Sequence, residues 1–375
     1  MDQISKIVER IGREAGTPDL AQMLSHRISA SDLQSLLMRV YQARVSEAQL
    51  PALRTSAERG LLRPSKVDGR RMSLFDRVAF EVASRFECVD LSPVCPLGLN
   101  HLLGGIHQNS VLTTIRNAEV LGDATMPLAM ECARRRREAG QNSGPAAIRL
   151  AASHRVIRLQ PFDFEGYVPH FRLFSMITAG RDTGSLQFEI EHLKEHIRSY
   201  LQLFRTLAKH GFSFEKPLVE LSDTGIIRTL LEAAGVTADD LRETIRAHRP
   251  GGSEKLLRER GIVLPDAVRD PAAELGHLPV PGLSRLVRMD QGVFDTLRAE
   301  FPEADFRFNL ARLEGLGYYS GFCLRISPLA PDGERYPVAD GGFTDWTARL
   351  LQNRKERLLT SGIGTEFVCL KYRSG

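Results

Sequence analysis

The strongest constraint on this chain is the order in which its strand-like and helical segments follow one another. Two strand-like runs, AIRLAASHRVIRL (147–159) and HFRLFSMITAG (170–180), sit close together in sequence. A long helix over 185–209 follows them. Its apolar positions Ile190, Leu193, Ile197, Leu201, Phe204 and Leu207 recur at the period of one buried helix face. Further strand-like runs come only after residue 300, at 304–315, 318–329 and 335–342, and a helix at 345–352 leads into 357–373. A sheet interrupted by helices and completed by distant parts of the chain predicts an α+β fold with a mainly antiparallel sheet, not a βαβ parallel one.

Composition narrows the class without naming a function. The 375 residues hold 50 Lys+Arg against 46 Asp+Glu, a formal charge of +4, with 42% apolar residues. Such a chain is too apolar for disorder and too evenly charged for a dedicated nucleic-acid binder. Cys88, Cys95, Cys132, Cys323 and Cys369 are odd in number and form no CxxC pair, so reduced thiols are expected rather than a zinc ribbon or a disulfide framework. The start, MDQISKIVERIGREAG, has no apolar core of a secretory signal. No run approaches the about 20 apolar residues of a membrane span. A cytoplasmic protein without membrane contact is the expectation.

Residues 1–70 read as a helical extension. Ile4, Ile7, Val8 and Ile11 have helical spacing, Thr17 or Asp19 opens a second helix, and Ser31 or Asp32 caps a third. The basic stretch RPSKVDGRR (63–71) reads as a linker. A core then runs over 71–215, with a helix at 74–85, a strand at 86–94, strand-like 110–120 and a helix from Thr125 through Arg137. Short helices predict a helical insertion over 216–300, and the core resumes over 301–375.

Two isolated motifs have competing readings. HLKEH (192–196) puts His192 and His196 on one helix face, as an inverted zinc-protease pair requires. With no third ligand identifiable, the solvated flank of the helix is the expected place for both, and no metal site is expected. RRRRE (134–138) could meet phosphates, but consecutive arginines point in all directions, so a solvated surface is expected. Gly-x-Ser-x-Gly, P-loop and dinucleotide patterns are missing from the sequence.

In their order, several segments resemble the catalytic core of class II aminoacyl-tRNA synthetases. Within that class the resemblance is nearest to histidyl-tRNA synthetase and to its tRNA-free paralogue, the ATP phosphoribosyltransferase regulatory subunit. The helix at 74–85 and the strand ending at Pro93 look like the first class II motif, which implies a homodimer. GDATMPLAM (122–130) is similar to the glutamate-glycine-threonine turn, with Asp123 in the acidic position beside Thr125. HRVIRL through HFRLF (154–174) looks like the second motif. There the resemblance implies Arg158 on an α-phosphate and Phe174 stacked on adenine, with Arg172 as a further nucleotide contact. LEGLGYYSGF (313–322) resembles the histidine-recognition motif, with Tyr318 and Tyr319 alternating on a strand so that at most one faces a pocket. ADGGFTDW (339–346) supplies Asp340, and SGIGTEF (361–367) is similar to the Gly-rich third motif through Gly362 and Gly364. ATP and Mg²⁺ are the cofactors this implies.

The departures limit the implied chemistry. Phe367 stands where the third-motif arginine belongs, Gln160 replaces a glutamate, and Glu314, Gly317 and Phe343 replace an arginine, an aspartate and an arginine. The imidazole-reading positions fall near Met176 and Gly180. Each lost charge-assisted contact is worth roughly 1.5–3 kcal/mol. Arg116, Arg172, Arg181 and Lys355 are the available substitutes. The sequence ends at Gly375 with no anticodon-binding domain after the third motif, so tRNA is not an expected partner. The leading expectation is a catalytically altered synthetase-like protein that binds an amino acid or a nucleotide and regulates a partner protein, as in histidine biosynthesis. The alternative is an ATP-dependent ligase that forms an adenylate without reading an anticodon, and a third reading is a dimeric scaffold.

Overall fold

The structure, a computed structural model, describes residues 3–48, 50, 60–140, 146–159, 168–236, 257–258, 261–277, 280 and 282–373. Helices α1 (Gln3–Glu14), α2 (Ala30–Ser46) and α3 (Gly69–Val82) come first. The two-residue strand β1 (Glu87–Cys88), β2 (Val94–Pro96) and β3 (Ala118–Val120) precede helix α4 (Thr125–Glu138). Strands β4 (Ile148–Ile157) and β5 (His170–Arg181) lead into the long helix α5 (Gln187–Ala208). Next are β6 (Glu215–Asp223) and α6 (Thr224–Ala233), then β7 (Asp305–Phe308) and β8 (Phe322–Leu329). The chain finishes with β9 (Ala339–Thr344), α7 (Trp346–Leu350), β10 (Glu356–Gly364) and α8 (Thr365–Lys371).

Eight strands form one sheet in the order β1-β4-β5-β10-β9-β8-β6-β7, while β2 and β3 pair apart as a ribbon. β1 with β4 and β6 with β7 are parallel, and the other five pairs are antiparallel. The fold is therefore α+β around a mainly antiparallel sheet, as the segment order predicts. Helix α5 covers one face through Leu193, Ile197, Leu201, Phe204 and Leu207, all buried. Helix α4 covers part of the other, packing Met126, Leu128, Ala129 and Cys132 against Leu150, Ile177, Ala179 and Leu358. Because side chains alternate along a strand, Phe174 and Met176 of β5 go to the α5 face and Ile177 and Ala179 to the α4 face.

Several local expectations need correction. Residues 216–223, expected within the helical insertion, continue strand β6, whose apolar positions Leu218, Val219 and Leu221 are buried inside the sheet. The expected helices over 239–248 and most of 253–261 lie outside the described residues. The linker expected over 63–71 ends early, because Asp68 caps α3 through Arg70 N at 2.7 Å. The strand expected over 86–94 shrinks to β1 and the first residue of β2, and only Ala118–Val120 of 110–120 is strand. Ser29 caps α2, in place of Ser31 or Asp32, by accepting from Asp32 N at 3.0 Å. Among the described residues no helix is long and apolar enough to cross a membrane.

The HLKEH pair is also placed differently from expectation. His192 and His196 are both buried on α5, because each finds a polar partner within the packed face. His192 Nδ1 lies 3.3 Å from Glu195, and His196 lies 2.8 Å from Ser361 Oγ and 2.9 Å from Thr178 Oγ1. Among the described residues no three His, Cys, Asp or Glu side chains assemble as metal ligands. Burial pushes the His196 pKa down to about 3, so the ring is neutral at pH 7. The unfolded chain binds this proton near the ordinary imidazole value of 6.5, and the folded chain resists it. Stability contributed by the neutral ring is complete above that pH and declines as pH falls toward 3, by up to about 1.4 kcal/mol per pH unit. Urea midpoints at pH 7 and pH 5 are expected to differ more in the wild type than in His196→Gln; equal differences would refute the assignment.

Candidate functional site

A row of residues paired across the sheet sets the site. Register places Arg307, Glu220, Arg325, Asp340, Gly362, Ser175 and Ala152 side by side across β7, β6, β8, β9, β10, β5 and β4. At one end the row is charged. At Gly362 the side chains stop, and a cleft of about 740 Å³ opens over Gly362, Gly364, Leu173 and Ser175.

Its walls come from two places. The turn before α4 brings Asp123 and Thr125, and the end of β4 brings Arg158. Asp123 Oδ1 accepts from Thr125 N at 2.9 Å and Thr125 Oγ1 at 2.8 Å. Its Oδ2 accepts from Arg158 Nη2 at 2.8 Å, while Arg158 Nε donates to Gly122 O at 2.7 Å and the guanidinium sits 5.5 Å from the Phe171 ring. Opposite stands the loop between β7 and β8. Tyr319 OH donates to Asp340 Oδ1 at 2.6 Å, and Arg312 Nη2 donates to Asp340 Oδ2 at 2.5 Å. The Arg312 side chain is 2% exposed and also donates to Leu324 O and Glu314 O, both at 3.1 Å, whereas the Asp340 side chain is 45% exposed. Tyr318 meets Trp346 and Tyr319 edge to face. Burial, together with the nearby acids, raises the pKa of both phenols, so both remain protonated donors.

Two glycines shape the Tyr319 slot. A Cβ on Gly342 would come within 2.7 Å of the Tyr319 ring, and so would one on Gly315, whose φ of 90° is also left-handed. The ring therefore lies against backbone on both sides.

Of the residues singled out from the sequence, Asp123, Thr125, Arg158, Tyr318, Tyr319, Asp340, Gly362 and Gly364 all line this one cleft. Tyr318 and Tyr319 precede β8 in a turn instead of alternating on it, so both reach the cleft. Phe174 does not reach it: it is buried in the α5-side core against Phe80. Arg172 shares that face and pairs with Asp76. Both corrections follow from the strand period, since 171, 173 and 175 face one way and 172, 174 and 176 the other. Of the substitute cations, Arg181 pairs with Glu356 far down β5, and neither Arg116 nor Lys355 lines the cleft. Phe367 packs edge to face on Tyr336, Glu314 accepts from Arg325, and Met176 and Phe343 are core. Gln160 lies outside the described residues. Sequence reasoning missed Arg312, two positions before the Glu314 that drew attention as a lost arginine.

Searches with family models and among curated proteins found no match. Solved structures do match. An ATP phosphoribosyltransferase regulatory subunit/histidyl-tRNA synthetase from Bacillus halodurans superposes with a TM-score of 0.60 at 14% identity, covering 82% of each chain. Histidyl-tRNA synthetase from Nostoc sp. PCC 7120 gives 0.60 at 17% identity over 82% of this chain and 73% of that one. The fold is the class II synthetase-like fold shared by these structures. A histidine–tRNA ligase subunit from Alicyclobacillus acidocaldarius gives 0.56 at 16% identity, over 82% of this chain and 95% of that one. At these identities the likeness establishes the synthetase-like fold, and function must be argued from this chain's own residues.

Proposed function

We propose that the cleft binds a small zwitterion of the amino-acid class without adenylating it, and that binding regulates a partner protein. The observation that carries this is the pairing of charges. Arg158, the guanidinium that lines the cleft, is already bonded to Asp123, and Asp340 on the opposite wall is held from behind by the buried Arg312, with Arg325 at 4.0 Å paired to Glu314. A near-neutral cleft with exposed acid and base suits a ligand carrying one ammonium and one carboxylate. On the floor, the buried Ser175 Oγ has no hydrogen-bond partner among the described residues and is available to a ligand.

Mg²⁺-ATP, the cofactor pair implied by the resemblance, does not fit these residues. A triphosphate needs surplus positive charge, and Phe174 and Arg172 lie on the far face of the sheet, while Phe367 holds the third-motif arginine's place. A regulatory use of the fold has a counterpart in the Bacillus halodurans protein, whose name joins a regulatory subunit with a synthetase.

Calorimetry across the proteinogenic amino acids is expected to give saturable binding, with no ATP–pyrophosphate exchange for any of them. Asp123→Asn and Asp340→Asn should each weaken binding by about tenfold or more, the worth of one charge-assisted hydrogen bond. Exchange activity that vanishes in Arg158→Ala would instead establish the ligase, and the absence of all binding would leave the scaffold.

A further inference from the structure

The RRRRE motif is not a uniform solvated surface. Arg134 pairs with Glu131 and Glu138, Arg135 with Glu131 and Glu87, and Arg136 turns inward to Glu356. Around that inward pair a second cleft of about 540 Å³ opens, lined by Arg136, Arg137, Arg181, Gln352, Asn353 and Glu356. Thr125, in the first cleft, and Arg136 are eleven residues apart on one face of α4, which separates the two clefts by roughly 16 Å.

Three guanidiniums here face one carboxylate. Glu356 takes Arg136 through two bonds of 2.9 and 3.0 Å and Arg181 Nε at 3.4 Å, which occupies both its oxygens. Arg137 is exposed and has no acidic partner among the described residues. The acids adjacent in sequence to Arg137 and Arg181 are committed, Glu138 to Arg134 and Asp182 to Arg357. Arg354 and Lys355 add exposed positive charge at the same end of the sheet. The carbonyl end of α4 offsets only about half a charge, and its last turn is partly closed by Gly140 N on Arg137 O at 3.2 Å. The backbone N–H groups of Leu351, Gln352, Asn353 and Glu356 are all bonded within their own turn, so a ligand must be held by side chains.

We propose that this second cleft is an anion site for the phosphate monoester of a small molecule. A dianion with three oxygens neutralises the surplus and can be forked by Arg137 and Arg181 together. The volume exceeds what the phosphate group needs and leaves room for a small organic body.

The test uses the full chain and thermal melts with inorganic phosphate against potassium chloride at matched ionic strength. Phosphate should stabilise the protein saturably and chloride should not. Arg137→Ala and Arg181→Ala should each weaken phosphate binding about tenfold or more, and Glu356→Gln, which removes the competing carboxylate, should strengthen it. Arg158→Ala, in the other cleft, should leave it unchanged. Ribose 5-phosphate and AMP then distinguish a sugar phosphate from a nucleotide as the tighter ligand. Equal responses to phosphate and chloride would overturn the site. So would phosphate binding that survives in both Arg137→Ala and Arg181→Ala, or that disappears in Arg158→Ala. Arg137 is exposed, so its variant remains informative should Glu356→Gln fold poorly.

Discussion

Arg312→Ala is expected to lower the unfolding free energy by about 2–4 kcal/mol, read as a fall in the urea midpoint at unchanged slope. The loss comes mainly from what the side chain leaves behind. Leu324 O and Glu314 O lose their bonds to Arg312, and a guanidinium-sized void opens beneath the Tyr318–Tyr319 turn. Asp340 is exposed enough to be rehydrated, so its freed charge adds little to the cost. Arg312→Lys separates the two contributions. It keeps a positive charge for Asp340 but has no fork to reach both carbonyls, and should recover cleft binding better than stability. If Arg312→Ala is as stable as the wild type, the loop is held by other contacts and the Arg312–Asp340 pair does not organise the cleft.

Arg136→Ala should cost more, about 3–5 kcal/mol, because here both partners are buried. The Arg136 and Glu356 side chains are 4% and 3% exposed, and Arg181 reaches the carboxylate only through Nε at 3.4 Å. Removing one partner strands a carboxylate between α4 and β10, whereas replacing both should be milder. The variant joining Arg136→Leu with Glu356→Leu is therefore expected to be more stable than Arg136→Ala, despite carrying two changes. A double variant that loses the sum of the single losses would mean the two residues act independently.

Much of the first cleft was legible before folding was considered. Asp123, Thr125, Arg158, Tyr318, Tyr319, Asp340, Gly362 and Gly364 stand out in short motifs, and all eight line it. The misassigned residues share a physical cause. For Phe174 and Arg172 the motif falls on the right strand, but alternation sends those two side chains to the far face. For Tyr318 and Tyr319 the strand starts only at Phe322, and the turn at Gly315 brings both residues to the cleft. Strand β6 was missed because its single run, EKPLVELSD, is strand only by virtue of its neighbours β8 and β7.

The sequence alone determined the alternation of elements, the helical stripe of α5, and the set of polar residues kept near one another by short motifs. These depend on local spacing, which a linear chain carries in itself. Only the tertiary structure decided who pairs with whom. Arg158 meets Asp123 across 35 positions, and Arg312 reaches Asp340 across 28. Arg136 turns inward to Glu356 across 220, leaving Arg137 uncompensated beside it. Electrostatic partnership falls off with distance in space, and distance along the chain places no limit on it. The same arginine can therefore be a phosphate ligand, a strut or a surface charge until the sheet closes around it.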